Sequence, residues 1–183
     1  FLIKGQISTK NKNFKANQLN NLFDNLFTKL GLEKARLSSV NNFSFSINKK
    51  LKFKDLKIES KIKLHQLVIK NSYINLKSYL PNFEESINFK DHRIVINYKK
   101  DNLKIKGKGE ILIKDKLDSI NYEIIKNNDK FKFDTKINLK NNKLLIDFLD
   151  YKKKENSDST ILIKGNFNKN RKIKFDLISL TEK

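Results

Sequence analysis

Residues 103–115, with the sequence LKIKGKGEILIKD, decide the fold of this chain. From Leu103 to Ile113 every second residue is apolar or glycine, and most of the residues between them are charged. This alternation is typical of a β-strand that turns one face toward apolar groups and the other toward water. The polar breaks on either side are short. We therefore predict antiparallel neighbours, because a parallel crossover needs about a dozen connecting residues or more.

The same period continues through residues 94–180, which we predict to form an antiparallel meander. Apolar positions recur on one face of its strands: Ile94, Ile96 and Tyr98; Leu103 to Ile113; Ile120, Tyr122 and Ile124; Phe131 to Leu139; Leu144, Ile146 and Phe148; Ile161 to Phe167; and Ile173, Phe175 and Leu177. Short polar loops separate these strands, as expected for an up-and-down meander. The predicted sheet has one apolar face and one lysine-rich face.

The part of the chain before residue 43 is predicted to be mixed. Residues 1–8 alternate as a strand. Residues 17–32 place six large apolar side chains at the spacing of one helical face, and Gly31 supplies a C-terminal stop. We expect this amphipathic helix to pack against the sheet or to plug one end of it, since its apolar stripe would otherwise be exposed. A membrane-surface helix is the alternative, although its polar face is mainly Asn.

Residues 43–76 return to period two and are predicted to be strands. A phase slip of one residue at His65-Gln66 predicts a β-bulge there. Residues 78–91 contain the single proline, Pro81, and are predicted to form an irregular interruption of the strand pairing. The predicted fold class is mainly β, a long antiparallel meander that forms a curved one-faced sheet or open groove, with one amphipathic helix near the N-terminus.

The chain of 183 residues is expected to be a single segment of a longer protein, because Phe1 already opens a strand. The net charge of +20 would usually point to nucleic acid or to an anionic membrane. Only three of the forty basic residues are Arg, however, and lysine is a strongly hydrated point charge. A solvated lysine face is the simpler interpretation, and an anionic partner remains the alternative.

The alternation does not show what fills the apolar face, because a filled sandwich or barrel and an open groove give the same pattern of apolar and polar residues. Three glycines stand in copies of one tripeptide, in phase with the apolar face: Ile3-Lys4-Gly5, Ile105-Lys106-Gly107 and Ile163-Lys164-Gly165. Glycine within a strand marks a bend, a bulge or a close approach to the backbone. The glycines are therefore consistent with sheet curvature, with room for an acyl chain, or with both.

No catalytic or metal-binding constellation emerges from the residues, so an enzyme, a cofactor and a metal are not expected. His65 and His92 are the two histidines, and neither belongs to a recognisable set of nucleophile, base and orienting group. The pair Asp91-His92 offers two metal ligands where sites use three or four. Glu84-Glu85 are adjacent and predicted to splay apart, which is a poor geometry for acid and base catalysis.

Nucleic-acid binding on a sheet needs aromatic stacking platforms beside the cations. The strand aromatics are in phase with the aliphatic residues instead, so nucleic acid is not the expected partner. An aromatic on the face of Lys104, Lys106 and Lys108 would favour that alternative.

Residues 71–180 resemble the extended β-sheet region of the AsmA-like family, the TamB and YhdP-type intermembrane proteins of Gram-negative bacteria. The meander carries the resemblance, together with LKIKGKGEILIKD at 103–115, DSINYEI at 118–124 and ILIKGNF at 161–167. The preceding helix and the strands from Phe43 to Ile69 are similar in style.

The resemblance implies a non-enzymatic periplasmic protein whose curved sheet carries phospholipid acyl chains along a concave apolar groove between the inner and outer membranes. It also implies an inner-membrane anchor outside this segment. The groove wall is predicted to contain Ile105, Gly107, Gly109, Ile111, Ile113, Phe131, Phe133, Ile163 and Gly165. A structural or adhesive β-domain of an envelope protein, with a filled core and no cargo, is the alternative, and a nucleic-acid-binding β-domain is a third.

Overall fold

The computed structural model describes residues 1–15, 17–18, 31–70, 76–83, 86–100, 102–113, 115–128, 130–168 and 173–182. This part contains the strands β1 Leu2–Phe14, β2 Leu32–Ile47, β3 Phe53–Lys70, β4 Ser86–Lys99, β5 Asn102–Ile113, β6 Lys116–Asn127, β7 Lys130–Leu139, β8 Leu144–Ile146, β9 Tyr151–Lys153, β10 Ser159–Asn168 and β11 Ile173–Glu182. Single turns of 3-10 helix occupy Leu76–Ser78 and Asp147–Leu149.

Nine of the strands form one antiparallel sheet in the order β1-β2-β3-β4-β5-β6-β7-β10-β11. Each strand pairs with the next along the sheet, and β1 and β11 are its two edges, so the sheet is not closed. The prediction of a mainly β chain built as an antiparallel meander is confirmed. The short antiparallel pair β8–β9 is a separate hairpin inserted between β7 and β10.

The predicted amphipathic helix at 17–32 receives no support. Asn17 and Gln18 are helical, but residues 19–30 lie outside the described residues, and no helix of seven or more residues occurs in the part that is described. The end of the prediction was wrong, because Leu32 already belongs to β2 and pairs with Ile69 of β3. Gly31, at φ 65°, forms the turn into β2 in the left-handed region that glycine tolerates.

Two N-terminal strands are longer than predicted. The first continues to Phe14 rather than ending at residue 8, across a register shift between Thr9 and Lys12. The second begins at Leu32 rather than at residue 43. Ser39 and Asn41 occupy its apolar-phase positions, and these polar side chains concealed the alternation.

The irregular interruption predicted at 78–91 ends earlier in the structure, and it also begins earlier, because Leu76, predicted to end the strands of residues 43–76, opens a 3-10 turn. β4 begins at Ser86, and Ile87 and Phe89 already alternate on the apolar side. Asp91 and His92 form a β-bulge within this strand, since Lys90 pairs with Glu110 and Arg93 pairs with Lys108. A single residue, Gly109, therefore faces two residues of β4.

The bulge predicted at His65 is confirmed. Gln66 pairs with Arg36 and Leu64 pairs with Leu37, which leaves His65 without an opposite residue in β2. Its Nε2 lies 3.0 Å from the hydroxyl oxygen of Ser38.

The bulges line up across neighbouring strands. The Ser38 hydroxyl oxygen also accepts a hydrogen bond of 2.9 Å from the backbone N–H of Asn11, in the irregular part of β1. Asn11 and Asp91 both have positive φ, at 46° and 47°. Because a bulge strengthens twist and re-aims side chains, this line marks a bend running across β1 to β4.

Two predicted stretches of the meander depart from it. The run from Leu144 to Phe148 was predicted as a sheet strand, but it forms β8 and the following 3-10 turn outside the nine-stranded sheet. On β11, Leu177 pairs with Lys164 and so lies on the lysine-rich face, whereas Phe175 lies opposite Gly165 on the apolar face. A register shift between these pairs changed the phase, and alternation alone could not locate it.

Candidate functional site

The cross-strand registers bring the nine predicted groove residues onto one side of the sheet, here called the apolar face. Ile105 lies between Ile96 of β4 and Ile124 of β6, and Ile124 lies opposite Phe133 of β7. Phe133 in turn lies opposite Gly165 of β10. All nine occupy in-phase positions of this face: Ile105, Gly107, Gly109, Ile111, Ile113, Phe131, Phe133, Ile163 and Gly165.

One end of the apolar face, here called the capped end, is covered by the chain itself. Ile111 and Ile113 are only 8% and 5% exposed, and they form a buried cluster with Ile120 and with Phe83 from the connection between β3 and β4. The backbone N–H of Leu145 donates a hydrogen bond of 2.7 Å to the carbonyl oxygen of Tyr79, which ties the β8–β9 hairpin to the same connection. No space for cargo is left against Ile111.

The other end, here called the open end, keeps its apolar side chains partly in contact with solvent. Its members are Ile105, Phe131, Phe133, Phe167 and Phe175. The rings of Phe131 and Phe167 stack at 4.5 Å with an interplanar angle of 7°, and Phe175 meets Phe133 edge-on at 6.2 Å. Phe175 is 55% exposed. Covering the parts of these rings that still meet solvent would be favourable by about 25 cal/mol for each Å² of apolar surface removed from water.

The glycines of the apolar face do not leave empty space. Each of the three in the Ile-Lys-Gly tripeptides lies directly opposite an aromatic residue: Gly5 opposite Phe43, Gly107 opposite Tyr122 and Gly165 opposite Phe133. In each pair the ring occupies the volume that a Cβ on the glycine would need. The space that sequence reasoning offered to an acyl chain is therefore filled by the protein's own rings.

His92 is a buried structural side chain at the centre of the apolar face. Its ring covers Gly109 and meets Phe89 edge-on at 5.5 Å. Nε2 lies 3.0 Å from the carbonyl oxygen of Glu110, which can only accept, so Nε2 carries the proton. Nδ1 lies 3.4 Å from the hydroxyl of Tyr122. Burial lowers the pKa of His92 and outweighs the opposing hydrogen bond to the Glu110 backbone.

A buried polar network next to the capped end escaped sequence reasoning. The carboxylate of Asp118 accepts hydrogen bonds from the backbone N–H groups of Lys140, Asn141 and Asn142 at 2.8, 2.9 and 3.2 Å, and from the Asn142 side chain at 2.8 Å. The ammonium of Lys153 donates to the carbonyl oxygens of Lys140, Asn142 and Lys154 at 2.8–3.0 Å. Every partner is local backbone or amide, so the network holds the connection after β7 in place.

The two charges of that network are both buried, with Asp118 4% exposed and Lys153 3% exposed. Burial lowers the pKa of Lys153, and the nearby Asp118 carboxylate opposes that shift. In sequence, Asp118 and Lys153 were loop residues in a polar break, where nothing distinguishes a buried charge from a solvated one.

Two shallow depressions lie on the lysine-rich face of the sheet, opposite the face predicted to form the groove. These adjoining depressions of about 440 and 420 Å³ are lined mainly by polar-face side chains of β4 to β7, and they share Arg93, Lys108 and Asn121. The resemblance implied a concave groove on the apolar face, where the structure shows a capped end and an open end.

The described residues contain neither a cluster of metal ligands nor a membrane-spanning helix. No group of three or more His, Cys, Asp or Glu side chains within this part of the chain could hold a metal ion. None of the helices found there is long and apolar enough to cross a membrane.

Comparison with protein-family models, with curated proteins and with solved structures finds no match to this chain. The resemblance to the AsmA-like family stays a prediction.

Proposed function

We propose that this chain is a non-enzymatic segment of an AsmA-like bridge-type protein that carries phospholipid acyl chains between the inner and outer membranes. The observation that carries the proposal is the open end of the apolar face. There the rings of Phe131, Phe133, Phe167 and Phe175 form a continuous, partly exposed surface across β7, β10 and β11. An acyl chain lying on these rings would remove apolar area from water.

The open sheet supports the same proposal. β1 and β11 are unpaired edges, and apolar positions recur in register from one edge strand to the other. Further strands added at either edge would lengthen the apolar face without changing its pattern. In the proposed setting the lysine-rich face stays in water within the periplasm, and the membrane anchor lies outside this segment.

Site-specific photo-crosslinking in cells tests the proposal. A photoreactive amino acid at Phe133 is expected to capture phospholipid, whereas the same group at Lys132, the adjacent residue on the opposite face, is expected to capture none. Ile111 serves as an internal control, because the capped end encloses it and it should be silent as well. Equal capture at Phe133 and Lys132 would refute the proposal, because lipid would then contact both faces of the sheet equally.

A structural β-domain with no cargo is the second candidate, and two observations favour it. Ile111 is enclosed by the chain, and the aromatic rings fill the space above the glycines. This candidate predicts that the purified segment, transferred from detergent to buffer, shows no bound lipid by native mass spectrometry. Lipid retained by the wild type but lost on Phe133→Asp and Phe167→Asp would decide for transport.

A further inference from the structure

The lysine-rich face contains a line of positive charges that the proposed function does not use. Lys63 of β3 lies directly opposite Arg93 of β4, and Arg93 lies opposite Lys108 of β5. Lys108 is followed across the sheet by Asn121 of β6 and then by Lys136 of β7. The four cations Lys63, Arg93, Lys108 and Lys136, here called the cation row, are all exposed.

Like charges directly opposite one another on adjacent strands destabilise a sheet. The neighbouring row avoids this, because Lys106 lies opposite Glu123 and forms an ion pair at 3.3 Å, and Asp134 pairs with Lys164 at 3.1 Å. No member of the cation row forms an ion pair with any residue that the structure describes. The repulsion is therefore left uncompensated in one row and neutralised in the next.

The bulge in β4 creates this arrangement. Asp91 and His92 together oppose Gly109, and the resulting change of phase places Arg93 on the same face as Lys63 and Lys108. Bulges commonly re-aim side chains next to binding sites.

Three members of the cation row border shallow depressions of the lysine-rich face. Arg93 and Lys108 line both of the depressions on this face, and Lys136 lines the larger one. The acidic residues of the larger depression, Glu123 and Asp134, already have lysine partners. Asp91 and Glu110 line the smaller one and leave the row with a net positive charge.

We propose that the cation row binds a soluble linear oligoanion bearing phosphate groups, laid across the strands from Lys63 to Lys136. Strands lie about 4.8 Å apart, so this span of four steps is about 19 Å and offers a cation or an amide at each step. The rows on either side contain acidic residues, Glu123 and Asp134 in one and Glu110 in the other, so the positive charge is confined to a line. A line of charge fits a single extended chain better than a membrane surface.

Nucleic acid is disfavoured by the side chains around the row. The polar-face positions of strands β3 to β7 carry no Phe, Tyr or Trp within the described chain, so a base would find no large stacking platform there. The row and the open end lie on opposite faces of the sheet, so failure of this inference would leave the proposed function intact.

Fluorescence anisotropy with a labelled short linear polyphosphate tests the inference. The double variant Arg93→Gln/Lys108→Gln is expected to weaken binding at least about tenfold at low salt, and to flatten the salt dependence because fewer counterions are released. The control Lys49→Gln/Lys50→Gln removes the same two charges from the exposed turn between β2 and β3, and it should change binding less than about twofold. Far-UV circular dichroism of both variants establishes that they fold.

Equal losses in the two variants would overturn the inference, because binding would then follow net charge alone. Orthophosphate competing as well as polyphosphate at equal phosphate concentration would also overturn it, since no extended row would be needed. Tighter binding of single-stranded DNA would assign the face to nucleic acid, and equal binding of vesicles containing anionic lipid would assign it to a membrane surface. Either result would replace the proposal.

Discussion

The pairing of a glycine with a cross-strand ring can be tested most directly by Gly107→Ala. A Cβ at residue 107 would stand 2.5 Å from Cε2 of Tyr122 and closer still to Cζ. Carbon atoms that are not bonded prefer about 3.5–4.0 Å, so the Tyr122 ring must move by more than about 1 Å. That ring packs against the buried cluster of the capped end.

The expected magnitude follows from two opposing terms. Overpacking a well-packed site costs about 1–3 kcal/mol. Replacing a strand glycine by alanine returns about 0.5–1 kcal/mol, because glycine loses more conformational freedom on folding. Because the ring has to move by more than about 1 Å, we expect the upper half of the overpacking range, about 2–3 kcal/mol. The net expectation is then a loss of about 1–2.5 kcal/mol in the free energy of unfolding, or about 2–10 °C in Tm for a chain of this size.

Urea unfolding followed by circular dichroism measures this loss, and a double-mutant cycle identifies its cause. In a Tyr122→Val background the ring atoms are absent, so Gly107→Ala should become neutral or stabilise the protein by about 0.5–1 kcal/mol. Lys132→Ala on the opposite face is the control, with an expected change within about 0.5 kcal/mol. The reasoning is refuted if Gly107→Ala costs the same with and without the Tyr122 ring, or costs nothing in the wild type.

Three further outcomes follow from the buried polar groups. Asp118→Ala should lower the free energy of unfolding in urea by about 2–4 kcal/mol, because it leaves buried N–H groups without an acceptor. The control Asp158→Ala removes an exposed carboxylate and should lower it by less than about 0.5 kcal/mol, and similar losses in the two variants would contradict the network. The pKa of His92 should lie below 6.5 by NMR titration, and a midpoint at or above 6.5 would contradict its burial. Because this pKa is lower in the folded than in the unfolded state, the contribution of His92 to stability is retained above pH 6.5 and falls on acidification below it. Burial raises the pKa of Tyr122 to about 12, so the contribution of its phenol to stability is complete below pH 10 and is lost as the pH rises toward 12. The free energy of unfolding of Tyr122→Phe should fall less between pH 10 and 12 than that of the wild type, and an equal fall would contradict the raised pKa.

The strands of the meander could be predicted because the alternation of apolar and polar residues shows directly which side chains point to each face of a strand. The His65 bulge was found in the same way, since an extra residue shifts the phase of an apolar run. The bulge at Asp91-His92 was missed because Pro81 and the charges near it made the whole stretch look irregular. β2 was predicted too short because Ser39 and Asn41 stand at in-phase positions of its apolar side.

The candidate site was predictable only as a face. In-phase spacing placed all nine predicted groove residues, including the glycines and Phe133, on that one face. It could not show that Ile111 is enclosed while Phe133 stays partly exposed, because this depends on where the connection carrying Phe83 and the β8–β9 hairpin fold. Asp118 and Lys153 gave no signal, since a buried charge and a solvated charge look alike in a polar loop.

The sequence by itself determined that the chain is an antiparallel meander with one apolar side and one lysine-rich side, because the period of two is a local property of extended backbone. Only the tertiary structure decided which residues lie opposite one another. It placed Tyr122 over Gly107, and it aligned Lys63, Arg93 and Lys108 in one uncompensated row. Register depends on loop lengths and on bulges in several strands at once, and these are set by pairing across the sheet rather than along the chain.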